Sequence, residues 1–303
     1  MREVINPEGA RSLVASADIT AIVAAYQRIE QTSATLRAIQ ACDPKPHEII
    51  VHVDANQTEC EMALRRAFSN IRIIRSERRM GPGGARNIMM EAATTEYVAS
   101  FDDDSYPIDA DYFARSIALF ETFPDASVIS AALYHRGDAI GPDARTAEWT
   151  ADFSGGACVY RRRAFIATGG YVPLPVAYGM EEVDLALRIH AKGGRILSTS
   201  LLRVFHDTDL NRHSDPTVTA SSIANLALLA YLRYPPSLWL LGIGQCLNRV
   251  WWLLRHRRWR GVLTGMTMIP DHLRAHQEYR MPIHRDRIIS YLSLRRASVP
   301  QAL

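Results

Sequence analysis

Residues 97–107 read YVASFDDDSYP, and the fold hangs on that stretch. Tyr97–Phe101 is short, largely apolar and β-prone, which predicts a buried strand. Asp102, Asp103 and Asp104 follow without a spacer, before Ser105 and Pro107. Each adjacent carboxylate pair costs about 1 kcal/mol in water and several at a protein surface. A divalent cation offsets that repulsion most simply, because hard cations are held by one or two carboxylates plus substrate phosphates. Along extended chain Asp102 and Asp104 project the same way and can serve one ligand. The plainer alternative is a solvated turn, which Asp and Ser also favour.

Working outward, the preceding chain repeats strand then helix. Ile19–Ala25 and Glu48–Val53 read as strands, with helices over Gln31–Ala41 and Thr58–Phe68 after them. Thr58 and Glu61 stand at capping-box spacing. Ile71–Arg75 is a third strand, and Gly83–Thr94 is a helix entered through the glycine-rich GPGGARN. Strands separated by helices of this length predict βαβ units and a parallel sheet. Ligands bind such sheets at the carboxyl ends of the strands. Tyr26, Asp54 and Asp102–Asp104 all fall there and should line one crevice.

Beyond the acids, Ser127–Leu133, Ala157–Tyr160 and Ile196–Phe205 read as strands, the last leading to His206. Residues 137–150 read as a loop, and Arg161–Thr168 and Glu181–Ala191 as helices. From Thr217 the pattern is helical, with Thr217–Tyr234 stopped by Pro235-Pro236 and Ser237–Trp259 following. The expected organisation is an N-terminal extension (1–17), an α/β domain (18–215, halves 18–107 and 108–215) and a helical region (216–303).

The chain has 303 residues, 48% hydrophobic and 22% charged, an ordinary globular balance that permits a large core. Its net charge of +3 is unevenly spread. Residues 231–303 hold twelve Arg, no Lys and three acids, a net +9, which leaves −6 for the first 230 residues. An acidic body suits cations, and a basic tail suits an anionic surface. The four cysteines form no C-x-x-C pair. The N-terminus lacks a signal-like apolar core, and Tyr234–Asn248 is too short to span a bilayer. A reduced, cytoplasmic protein is expected, with its tail able to rest on an anionic membrane such as the inner face of the cell membrane. Nucleic acid is not an expected partner, for want of a recognisable motif.

Other residues can carry chemistry. Glu181-Glu182-Val183-Asp184 opens a helix, where the helix dipole also favours acids and Asp184 can pair with Arg188. One of these carboxylates is a candidate general base. His206 can add a nitrogen to a metal already held by carboxylates. Glycines before a helix, Gly84 among them, can bring N–H groups to phosphate. Arg86 can meet a diphosphate, brace the acids or form an internal pair. Gly155-Gly156 allow close approach of a substrate or kink a strand. Trp and Arg over 239–260 suit a headgroup layer or a packed helix with a basic face.

Taken in order, IVAAYQR, IIVHVDAN, GPGGARN, FDDDSYP, FSGGACVYRRRAF, GMEEVDLALRI and VFH resemble family 2 glycosyltransferases of the GT-A fold. The resemblance runs from Ile19 to about Pro235. It implies an α/β, GT-A-like nucleotide-binding fold with a mostly parallel sheet, an inverting enzyme, a nucleotide-diphospho-sugar donor and Mg2+ or Mn2+. The acceptor would be a glycan, a lipid-linked molecule or a small molecule. The resemblance casts Tyr26, Arg28 and Asp54 near the base, and Gly84, Arg86, Asp103, Gly155, Gly156 and Glu181 along the nucleotide sugar. Asp102 would face the ribose and the metal, Asp104 the metal, and His206 the metal or diphosphate. Glu182 stands where the family usually has an Asp as presumed base, so Asp184 is a second candidate. Met89-Met90 also depart from the small residue that often follows Arg-Asn. Two other readings are a sugar-phosphate nucleotidyltransferase, which would want a glycine-rich loop where YQRIEQTSA stands, and a non-catalytic membrane adaptor on the same fold.

Overall fold

The computed structural model describes residues 16–141, 146–176, 178–208 and 215–301. Most of the expected N-terminal extension, residues 1–15, lies outside the described residues. Strands β1 (Ala17–Ala25), β2 (Pro46–Val53), β3 (Arg72–Arg75) and β4 (Tyr97–Asp102) pair in parallel in the order β4-β1-β2-β3. Helices α1 (Ile29–Gln40), α2 (Thr58–Ala67) and α3 (Gly81–Ala92) connect them. Ala24 lies opposite Asp102 and Ala25 opposite Val53, so the carboxyl ends of β1, β2 and β4 are flush.

Period-two alternation sends Ala21, Val23 and Ala25 into one core with Leu36 and Ile39 of α1 and Leu64 of α2. Ile22 points into a second core with Met89 and Met90 of α3. Burial on both faces explains the unbroken apolar run of β1. It also explains the two methionines, which are fully buried between α3 and the sheet.

The second half adds β5 (Ser105–Pro107), α4 (Tyr112–Thr122), β6 (Ala126–Tyr134), β7 (Ala147–Thr150), β8 (Ala157–Arg161), α5 (Arg162–Thr168), α6 (Glu181–Ala191) and β9 (Arg195–His206). Strand β8 is antiparallel between β4 and β6, and β9 runs parallel to β6. Helices α7 (Pro216–Arg233), α8 (Trp239–Arg255), α9 (Val262–Ala275) and α10 (Arg285–Leu294) form the C-terminal region. A final strand, β10 (Val299–Gln301), returns to pair with β7. The sheet runs β10-β7-β9-β6-β8-β4-β1-β2-β3, with β5 on β9.

Four local expectations change. Residues 147–150 are a strand rather than loop, because β9 and β10 pair with them from either side. The tail is not helical throughout, since Val299–Gln301 joins the sheet. Thr58 does not cap α2. Its hydroxyl accepts from Arg75 Nη1 at 3.1 Å, and Glu61 is drawn to Arg65 and Arg75 at 2.9 and 3.1 Å. The glycines of GPGGARN form the first turn of α3 itself, which begins at Gly81. The four cysteines are free.

Candidate active site

The acid run is packed rather than solvated. Asp103 and Asp104 are 3% and 2% exposed. Two arginines meet them from different elements. Arg28, just before α1, places Nη2 3.0 Å from Asp103 Oδ1 and pairs through Nη1 with Asp104 Oδ2. Arg86 of α3 pairs with Asp102, lies 3.1 Å from Glu181 Oε1 and donates to Ser100 Oγ at 3.1 Å. The repulsion within the run is therefore offset by protein cations before any metal is considered. Burial pushes the Asp103 carboxyl up to about 7, against the pull of Arg28. Burial also presses Asp104 upward, but His206 and Arg28 outweigh it and hold Asp104 below its ordinary value.

Strand pairing delivers His206. Strand β5 lies antiparallel to β9 with Ser105 opposite His206, and Asp207 N–H donates to the Asp104 carbonyl at 2.8 Å. His206 Nε2 then sits 3.2 Å from Asp104 Oδ1. One ligand atom each from Asp102, Asp104 and His206 lies within 4.8 Å of the others. Two carboxylate oxygens and an imidazole nitrogen fit Mg2+ or Mn2+, with positions to spare for phosphate oxygens. Asp104 is buried beneath, while the side chains of Asp102 and His206 are 32% and 22% exposed, so the open side of the cluster faces outward.

Two cavities meet at this cluster. The smaller, about 260 Å³, is lined by Tyr26, Arg28, Asp54, Arg79, the acid run and His206. The larger, about 1000 Å³, shares Arg79, Asp102 and His206 and continues past Glu181 and Glu182 to α7, α8 and α10. Tyr26 lies under the Arg79 guanidinium, 4.9 Å from ring centre to Cζ. The Asp54 carboxylate is heavily engaged. It accepts from Ala55 N–H and Ser76 Oγ at 2.9 Å, Met80 N–H at 2.8 Å and Gly81 N–H at 3.0 Å. It thereby ties β2 to the start of α3 and occupies the first N–H groups of the glycine turn.

The helix α6 separates its acids. Glu182 lines the larger cavity, and its Oε1 accepts from Gly155 N–H at 3.3 Å. Burial raises its pKa, and Arg86 only partly opposes this. Glu181 is buried against Arg86, and burial together with Glu182 pushes it up to about 8. Asp184 turns away into protein. It is 1% exposed, 2.6 Å from Arg188 Nη2 and 2.5 Å from Arg233 Nε, and these cations outweigh burial and lower its pKa. The α6 acids thus split into a cavity-facing Glu182, a bracing Glu181 and an Asp184 committed to internal pairs.

The glycines are shaped by these neighbours. A Cβ on Gly156 would overlap the Asp102 carboxylate, and one on Gly155 would press on Arg86 and Glu182 at 3.0 Å. In the first turn of α3, a Cβ on Gly83 would come within 2.7 Å of Glu181 Oε1, and one on Gly84 within 2.9 Å of Met80 Cβ. Sequence reading missed Arg79, Ser100 and Ser105. Ser100 Oγ donates to the Gly155 carbonyl at 2.6 Å, and Ser105 Oγ to that of Gly156 at 2.5 Å. The available signal was a hydroxyl inside the apolar run YVASF, where a buried donor needs a partner.

Comparison with known proteins gives a family and a fold. The family model "Glycosyl transferase family 2" matches residues 20–169. Mannosyltransferase PcManGT from Pyrobaculum calidifontis, solved with GDP-Man and Mn2+, superposes with TM-score 0.57 at 14% identity, over 93% of this chain and 86% of that one. GalNAc-T7, solved with UDP, GalNAc and Mn2+, gives 0.53 at 14% identity over 72% of this chain, which spans only 48% of that one. S. aureus TarS 1-349 with UDP-GlcNAc gives 0.51 at 15% identity, over 86% of this chain and 90% of that one. At such identities the likeness speaks for the fold. No curated protein matches the chain.

Proposed function

Residues 20–169 belong to glycosyl transferase family 2, and from that premise we propose that the protein moves a sugar from a nucleotide-diphospho-sugar to an acceptor hydroxyl with inversion. The division of labour follows the halves 18–107 for the donor and 108–215 for the acceptor. One observation carries the reading: Glu182 lines the same cavity as Asp102 and His206, two of the three residues of the candidate metal cluster.

In this reading Tyr26, Arg28, Arg79 and Asp54 shape the donor cavity around the nucleoside. Asp102, Asp104 and His206 would hold Mg2+ or Mn2+, which supplies Lewis-acid stabilisation of the departing diphosphate when bound. Arg28 and Arg86 fix the acids in place beforehand, the preorganisation from which electrostatic catalysis draws its strength. Gly155 and Gly156, having no side chains, let Asp102, Arg86 and Glu182 pack against their backbone and so hold these groups in position. Glu182 takes the proton of the acceptor hydroxyl. The acceptor oxygen bonds to the anomeric carbon from the side opposite the diphosphate, and the bond from that carbon to the phosphate oxygen breaks. A carboxylate raised above its ordinary pKa by burial is a stronger base for this step than a solvated one. Asp184, neutralised by two arginines, is not assigned a chemical role. The product class is a glycan or glycoconjugate, made at the cytoplasmic side.

The test uses release of nucleoside diphosphate from a panel of UDP-, GDP-, CDP- and dTDP-sugars with Mn2+ or Mg2+. Asp104→Asn should abolish both this turnover and the metal-dependent thermal shift given by the matching nucleoside diphosphate. Turnover at the wild-type rate in that variant would overturn the assignment.

A further inference from the structure

A helix on a protein surface ordinarily presents a polar outer face, and α8 does not. Its inner side carries Gly242 and Leu253, both buried. Its outer side carries Leu240, Leu247 and Trp251, which are 84%, 62% and 64% exposed and share one stripe, with Ile243 and Leu254 beside them. Trp259 and Leu263 extend the apolar surface toward α9 at 64% and 73% exposure. Between Trp239 and Leu254 the one charged residue is Arg249, half-buried on the inner side. Arg255, Arg257 and Arg260 then stand exposed at the turn into α9, while Arg258 turns inward to Thr219 at 3.2 Å, and no acid occurs from Tyr231 to Pro270. An apolar stripe edged by cations, in a stretch of chain that carries no acid before Asp271, complements an anionic lipid surface. A soluble partner helix would supply apolar contact but gives no account of the arginines.

The length of α8 decides between lying and spanning. At 1.5 Å per residue its 17 residues cover about 26 Å, short of a hydrocarbon core of about 30 Å. Among the described residues no helix is long and apolar enough to cross a membrane. The same helix walls the larger cavity, which runs from Asp102 and Glu182 to Gln245, Asn248, Arg249 and Trp252.

We infer that the α8–α9 face docks on an anionic lipid bilayer, its outer stripe in the upper acyl layer and Arg255, Arg257 and Arg260 among the phosphates, so that the cavity beyond Glu182 opens at headgroup level. Calling that end of the cavity the acceptor end rests on the transfer reading; the docking does not.

Vesicle flotation of the full chain tests it, with phosphatidylcholine alone and mixed with phosphatidylglycerol. Binding should be about tenfold or more stronger with the anionic mixture and should fall with added salt. Tryptophan fluorescence should be quenched by bromines placed high on the acyl chains. The combined variant Leu240→Ser, Leu247→Ser and Trp251→Ser alters only exposed positions and should lose flotation and quenching while melting like the wild type. Failure of the wild type to float, or undiminished flotation of the variant, overturns the inference. So does light scattering that shows a wild-type dimer, a monomeric variant and no vesicle binding, which would give the face to a second copy. Flotation needs no nucleotide, so loss of the donor-induced thermal shift would sink the transfer reading and leave the docking intact.

Discussion

At the scale of single residues, the roles of the α6 acids can be separated by measurement. Glu182→Gln should lower turnover by about 10²–10⁴-fold, the usual worth of a general base, and leave the thermal shift by nucleoside diphosphate and Mn2+ in place. Loss of that shift would mean that Glu182 shapes the donor site instead. Asp184→Asn strands Arg188 and Arg233 in protein. Removing one partner of a buried pair costs about 3–5 kcal/mol, which denaturant unfolding would read. Because its pKa is depressed, the stabilisation from Asp184 is complete above its ordinary 3.8 and lost only as pH falls further. Glu181 has the opposite sign. With its carboxyl raised from 4.5 to about 8, the folded protein holds a proton that the unfolded chain has already released. Stability contributed by this group therefore declines as pH climbs through that interval. Metal-free melts of Glu181→Gln should show a flatter decline, and an unchanged slope would assign the effect elsewhere. Gly156→Ala drives a methyl group into the Asp102 carboxylate. It should abolish Mn2+-dependent nucleotide binding, as read by calorimetry, in a protein that still folds.

At the scale of elements, close helix approach is the exposed weakness of the C-terminal region. A Cβ on Gly265 of α9 would lie 2.6 Å from the Ala220 carbonyl of α7. Gly265→Val should destabilise by about 1–3 kcal/mol through overpacking, and a neutral result in denaturant unfolding would show that α9 shifts freely. Legibility in the sequence also sorts by element. Strands β1, β2 and β4 were readable because both faces are buried, which leaves an apolar run with a polar residue just past its end. The convergence of Tyr26, Asp54 and the acids was readable for the same reason. Strands β7 and β10 were not, since AEWT and VPQ are too short for periodicity and exist only through pairing at the sheet edge. The failed cap at Thr58 illustrates the same limit, because local spacing cannot announce an arginine arriving from the next strand. In the site, the carboxylates were visible as a run, but the arginines that neutralise them come from α3 and from the segment before α1. Arg233 reaches Asp184 from 49 residues away. Of this charge balance the sequence showed only Arg86 as one possible brace and the i,i+4 pair of Asp184 with Arg188; Arg28 and Arg233 come together with the acids only through the fold.

At the scale of the whole molecule, α/β body and helical tail are joined by more than chain continuity. Strand β10 hydrogen-bonds to β7, α10 packs against α6, and Arg233 closes α7 onto α6 while donating to the Tyr279 carbonyl at 2.8 Å. One cooperative unfolding transition is the expected result in calorimetry, with calorimetric and van't Hoff enthalpies equal; two resolved transitions would show independent units. The Asp184 clamp has a practical corollary. Amputating the tail ahead of Arg233 would leave an anion sealed in protein with one counter-charge missing, on the very helix whose first turn carries Glu182. The tail is a keystone for that helix, so a cut ahead of Arg233 should loosen it.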